Sequence, residues 1–281
     1  MKNFESYKLN LKKSLGQKLF FTEKLDLSEY DLIVDYGCGT GDVLLALANH
    51  PKLKINCKLV GYDANPDMIK CAKLNLSNSI KDITFVDNFL SLRENLMLPC
   101  DKKRLIIFSS VLHEVEKQEQ LNIIDNIMPK FDAVVIRDML PPTNNPRVPR
   151  KVRKNVYKQC PKWQIKAFES KWGKIKRRKE LYRFLLMNEF VDNFDTELQE
   201  DYFSVLWDDI NRTLLEHGYQ RNVTDYTLDY RRQQVLKRFG IFMNDYTHRN
   251  AIYISPEFYR IYYEDSKGEM EPVNTLVVDE N

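Results

Sequence analysis

Residues 32–44, LIVDYGCGTGDVL, constrain the fold more than any other stretch of the chain. Leu32, Ile33 and Val34 form a short apolar run of the kind found in a strand buried on both faces. Asp35 ends the run, Gly37, Gly39 and Gly41 make a tight Gly-x-Gly-x-Gly turn, and an apolar helix begins at Val43. Glycine has no Cβ and tolerates positive φ, so a ligand can come close to such a turn. The helix behind it points unpaired N–H groups at whatever the turn holds. A cofactor with a carboxylate or phosphate suits that position.

Dinucleotide enzymes want Gly-x-Gly-x-x-Gly, with the third glycine packing helix on strand. Here that place is Asp42, and the third glycine comes one residue early. With Asp35 two positions before the first glycine, the stretch resembles the first motif of class I S-adenosylmethionine (SAM) dependent methyltransferases. The resemblance implies that Gly37, Gly39, Thr40 and Gly41 meet the methionine part of SAM and that Asp35 reaches its amino group. GYDANPDMI matches the second motif of that family. Asp63 would then accept the ribose hydroxyls from the end of the second strand, with Asn65 and Met68 beside the adenosine. Asn65 also suits a helix cap and Pro66 the first helical position. Asp87 or Asn88, at the end of DITFVD, would face the adenine amino group.

The rest of the chain continues the alternation. RLIIFSS (104–110) reads as the fourth strand, followed by VLHEVEK and an apolar helix, and Phe131–Arg137 as the fifth, ending at Asp138. This indicates a doubly wound α/β sheet, which binds ligands at the carboxyl ends of its strands. Residues 222–228 and 248–254 suit two last strands around a helix closed by Gly240. The resemblance implies a seven-stranded Rossmann-like methyltransferase sheet in the order 3-2-1-4-5-7-6. Its antiparallel seventh strand would put His248 beside Asp138 and the loop from Ser109 to His113. SSVLHEV, in that loop, resembles the family's stretch facing the sulfonium and the substrate. Residues 4–25 carry leucines near helical spacing and read as a helix covering the sheet, with a lid over SAM as the other reading.

Several chemistries lack their residues. Adenine-N6 enzymes show Asn/Asp-Pro-Pro-Tyr/Phe where this chain has Ser-Ser-Val-Leu. The Pro99-Cys100 pair precedes the fourth strand, so it is misplaced for a cytosine-C5 nucleophile, and nothing anchors Cys160 as one. Five scattered cysteines without Cys-x-x-Cys read as reduced thiols in a cytoplasmic protein. Four histidines without ligand spacing read as no metal site. No apolar run approaches a membrane span, and the N-terminus is too polar for a signal peptide.

From Pro141 the character changes. Residues 147–179 carry fourteen Lys or Arg and one acidic residue, with Trp163, Phe168 and Trp172 interleaved. Residues 184–216 reverse this, with nine Asp or Glu and one Arg. The expected organisation is a SAM-binding core (1–145), a mostly helical insertion (146–218), and the final strands with an acidic tail (219–281). The basic half reads either as a nucleic-acid surface, phosphate neutralisation plus stacking, or as a face cancelled by the acidic half. The expected activity is SAM-dependent methyl transfer to a nucleic acid, RNA before DNA, through residues 147–179. A small-molecule or protein methyltransferase with the insertion as a lid, and a non-catalytic SAM-binding module, are the alternatives. Methyl transfer to a neutral nucleophile needs alignment and a proton acceptor in reach. His113, Asp138 and His248 are the candidates.

Overall fold

The apolar runs pair into one seven-stranded sheet of order β3-β2-β1-β4-β5-β7-β6. This computed structural model describes residues 15–76, 82–96, 102–189 and 194–256. The first expected strands are β1 (Leu32–Tyr36), β2 (Lys58–Tyr62), β3 (Ile83–Val86), β4 (Arg104–Ser109) and β5 (Ala133–Met139), all parallel. β6 (Gln220–Thr227) and β7 (Thr247–Ile254) pair antiparallel, and β7 runs antiparallel to β5. Helices α1 (Asp42–Ala48), α2 (Pro66–Asn75), α3 (Phe89–Asn95) and α4 (Lys117–Asn126) connect the parallel strands. Helix starts follow local chemistry: Asn65 caps α2 by accepting the Asp67 N–H, and Asn88 caps α3 by accepting that of Ser91.

Alternation along each strand divides the side chains between two cores. Val34, Val60, Ile106, Phe108, Val134 and Ile136 face one side with α4; Ile33, Leu59, Leu105, Ile107 and Val135 face the other with Leu44 and Phe21. The N-terminal segment joins this second core. Residues 15–18 are helical, the short 3₁₀ turn Phe20–Glu23 follows, and Leu15, Leu19 and Phe20 pack on the sheet. The expected helix over residues 4–25 is therefore shorter in its described part. Residues 4–14, Pro99-Cys100 and the acidic tail lie outside the described residues.

Between β5 and β6 come α5 (Arg150–Lys158), α6 (Lys162–Trp172), α7 (Arg178–Glu189), α8 (Phe194–Glu197) and α9 (Trp207–Glu216); α10 (Asp229–Phe239) precedes β7. The apolar sides of α5 to α8 and of α10 enclose a third core that starts from Met139 at the end of β5. The expected insertion thus stands at the carboxyl edge of the sheet. Its last helix behaves differently. Trp207, Ile210 and Leu214 of α9 insert into the α4-side core, and the Trp207 indole donates to the Met139 carbonyl. α9 covers the sheet as the other connecting helices do, so the acidic half is divided between two cores. Among the described residues no helix is long and apolar enough to cross a membrane.

Candidate active site

The glycine turn is built by demands of two kinds. Gly37, Gly39 and Gly41 all have positive φ. A Cβ on Gly37 would lie 2.3 Å from a Val111 methyl, and one on Gly41 2.8 Å from Leu76. Those two glycines let the turn pack against the loop after β4 and against α2. The turn's own N–H groups are also engaged. Gly37 and Cys38 donate to the Tyr62 carbonyl, Gly41 to that of Cys38, and Gly39 to Asp63 Oδ2 at 2.9 Å. The turn therefore offers a cofactor shape more than free donors. Thr40 is buried, its hydroxyl bonded to Asp42 and its carbonyl to Asn75.

Asp35 is 2% exposed, and its carboxylate accepts no hydrogen bond from the described residues. Burial pushes its carboxyl up to about 7, against the pull of Lys18. A buried carboxylate facing a glycine cradle with no donor of its own fits the ammonium group of SAM. Asp63, at the end of β2, accepts from Gly39 and, through Oδ1, from the Asn65 N–H at 2.9 Å. It ties the turn to β2, and its remaining lone pairs can take hydroxyl donors. Met68 is half-buried on α2. Asp87 and Asn88 are exposed, bonded to one another at 3.2 Å, and Asn88 is occupied as the α3 cap.

At the other side of the edge, His113 Nδ1 lies 2.7 Å from Asp138 Oδ1, both residues buried. The Met139 N–H donates to the same carboxylate oxygen. Burial opposes a charge on His113. Asp138 overrides it, helped by Glu114 and Glu200, each 3.9 Å from Nε2, and the imidazole is pushed up to about 9. His113 is therefore charged at neutral pH. His113, Glu114 and Glu200 also have their ligand-type atoms within 4.8 Å of one another, a spacing open to a metal ion. Sequence spacing gives no sign of this group, because Glu200 comes from the insertion. A cation there would have to displace the His113 proton.

His248 pairs with Met139 in the sheet, so it lies at the expected edge. Its side chain points to the opposite face from Asp138, because Met139 and Asp138 alternate. It packs against the Tyr226 and Tyr246 rings, and its Nδ1 has no partner among the described residues. Burial, with Arg137 and His113 nearby, holds it well below the ordinary histidine range. The edge thus presents a charged His113–Asp138 pair on one face and a neutral His248 on the other. Two further groups were not singled out in the sequence. Ser109 is buried, its hydroxyl without a partner among the described residues, and it is Ser110 that takes φ +59° and bonds Arg137 Nη1 through its hydroxyl at 2.5 Å. Lys18 lies near Asp35, Asp42 and Arg137. The N-terminal segment therefore covers the sheet and also borders the cofactor cradle.

The order of the sheet and this cradle define the class I SAM-dependent methyltransferases. Residues 28–185, 158 of the 281, match the model of a methyltransferase domain, and the chain belongs to that family, with SAM as its cofactor. No curated protein matches it. Among solved structures, the mycolic acid cyclopropane synthase CmaA1, complexed with S-adenosylhomocysteine (SAH) and CTAB, is similar with a TM-score of 0.50 at 9% identity, over 86% of this chain and 83% of that one. The methyltransferase domain of bacterial CtHen1 gives 0.47 at 13% identity, over 88% and 99%. The plantazolicin methyltransferase BamL, in complex with a triazolic desmethylPZN analog and SAH, gives 0.47 at 13%, over 90% and 88%. At these identities the likeness is one of fold.

Proposed function

We propose that this methyltransferase acts on a nucleic acid, and on RNA in preference to DNA. The observation that carries the reading is the solvated basic face of α5 and α6. Lys151, Lys154, Lys158, Lys162 and Lys166 are exposed, and none is paired with an acidic residue among the described ones. The acidic half is engaged elsewhere: Asp201 with Arg183, Asp209 with Arg212, and Glu200 near His113. None of these ion pairs joins the acidic half to the lysines of α5 and α6. Trp163 is 53% exposed beside these lysines, with its edge against Phe194. An exposed ring among unpaired cations suits the bases and phosphates of a single strand, as in RNA loops and ends. Trp172 does not share this role. Its indole donates to the Leu198 carbonyl and the Arg183 guanidinium covers its face at 4.1 Å.

SAM bound here would supply an electrophilic methyl for one displacement, which asks the protein for alignment and a proton acceptor. Gly39, Asp35 and Asp63 are the residues that would hold it, with the loop Ser109–His113 beside the acceptor. His248 is the proton acceptor in this reading, because it is neutral with an unpartnered nitrogen while His113 already carries its proton. Incubation with methyl-labelled SAM and, in parallel, total RNA, DNA, protein and metabolite pools tests the acceptor. Label in RNA supports the reading. Label in protein or metabolites alone replaces it with the lid model, and none in any pool leaves a binding module.

A further inference from the structure

Arg137 is buried to 3% exposure at the carboxyl end of β5, and no carboxylate pairs with it among the described residues. Its guanidinium has only neutral neighbours: the Ser110 hydroxyl at 2.5 Å, Gln17 Oε1 at 3.5 Å and the Tyr226 ring at 5.8 Å. Its Nε has no partner among the described residues. Burying a cation without a counter-ion is costly, so buried arginines normally face an acid. The Lys18 ammonium, of the same sign, is near enough for Arg137 to act on it.

The sheet register gathers other unsatisfied groups around it. Ser109, Arg137 and Asn250 sit side by side across β4, β5 and β7, and Met139, His248 and Tyr226 lie one pleat further on. Residues directly opposite share a face, and so do alternate residues of one strand. Ser109 Oγ, Arg137 Nε, Asn250 Oδ1, His248 Nδ1 and the Tyr226 hydroxyl are all buried without partners; these are five of the ten such atoms among the described residues, gathered on one patch. Ser110, which meets the guanidinium, holds the left-handed backbone that non-glycine residues seldom adopt.

We propose that this patch is an oxyanion subsite: Arg137, with the hydroxyls of Ser109 and Ser110, binds a phosphate or carboxylate of the methyl acceptor. The guanidinium fork suits either group. The cofactor's own carboxylate is the competing source. Arg137 stands on β5, two strands from Asp35 on β1, a separation of about 10 Å. The subsite does not depend on the acceptor being RNA, since a small acidic acceptor would use it as well.

The test takes the full chain saturated with SAH and titrates inorganic phosphate, then acetate, by calorimetry and thermal shift. Wild type is expected to bind at least one of the two anions, with a rise in melting temperature. Arg137→Gln is expected to lose that binding at least tenfold while its SAH affinity stays within threefold. Ser110→Gly relieves the backbone, so it should fold at least as well as wild type, yet bind the anion more weakly. It keeps the test decisive if Arg137→Gln does not fold. Absence of phosphate and acetate binding to the wild-type complex overturns the subsite. So does a loss of SAH affinity in Arg137→Gln with methylthioadenosine, which lacks the amino-acid part, bound as before; Arg137 would then hold the cofactor's carboxylate.

Discussion

Asp63 accepts the backbone N–H of Gly39 at 2.9 Å, so the residue proposed to meet the ribose also fastens the glycine turn. Its second oxygen holds the Asn65 N–H at the start of α2. Two charge-assisted bonds of this kind are worth about 1.5–3 kcal/mol each. Asp63→Ala is expected to weaken SAM binding by roughly tenfold to a thousandfold and to lower stability as well. Asp63→Asn keeps one acceptor oxygen and should recover part of the stability without recovering the affinity. Calorimetry with SAH and thermal melts separate the two effects. Wild-type affinity in the alanine variant would remove Asp63 from the cofactor site.

Gly39 offers a probe of the cradle that spares the Val111 and Leu76 contacts. Substitution at Gly37 or Gly41 drives a Cβ into Val111 or Leu76 and so attacks packing. Gly39 has φ +51°, which asparagine tolerates far better than a branched residue. Gly39→Asn is expected to fold, with a loss of about 1 kcal/mol, and to bind SAH at least tenfold more weakly. Equal SAH affinity would mean that the cofactor does not approach the turn there.

The two histidines at the edge should titrate in opposite directions. His113 is raised to about 9, so its contribution to stability is complete below about pH 6.5, the unfolded value, and is lost as pH rises through 9. His248 is lowered, so the unfolded chain takes up that proton first, and stability falls as pH drops below about 6.5. Asp138→Asn is expected to bring the His113 midpoint down by roughly one unit or more, read by NMR. A midpoint that stays near 9 would assign the shift to other groups.

His248→Asn is expected to leave SAH affinity intact and to lower turnover by about a hundredfold, the low end for general-base catalysis. Because His248 is neutral, wild-type turnover should be flat from about pH 6.5 to 8. A rate that instead climbs towards pH 9 and survives the His248 change would transfer the role to His113.

Much of this site was legible in local sequence. The alternation of apolar runs, the spacing of Asp35 and Asp63 around the glycines, and the cap at Asn65 are features of short range; the cap at Asn88 was read instead as an adenine contact. The sheet order and the placement of His248 at the carboxyl edge followed from the family resemblance, but its register opposite Met139, on the face away from Asp138, did not. What was not legible depends on contacts between distant segments. Glu200 reaches His113 from the insertion, Lys18 reaches the cradle from the N-terminal segment, and Arg183 takes up the face of Trp172. The division of Asp138 and His248 between opposite faces requires strand register, and the acidic half could not be assigned to two cores before α9 was seen to pack on the sheet.

RNA binding as a function of salt tests the central claim most directly. Lys151, Lys154 and Lys158 share one face of α5, and Lys162 opens α6 beside Trp163. Each phosphate contacted on a single strand contributes about −0.7 to the log–log slope of affinity against salt. Wild type is expected to bind single-stranded RNA with a slope of about −2 or steeper. The variant with these four lysines changed to glutamine should bind more weakly, with a flatter slope and unchanged SAH affinity. No salt-dependent binding of wild type to RNA or DNA, or an identical slope in the variant, would contradict the account.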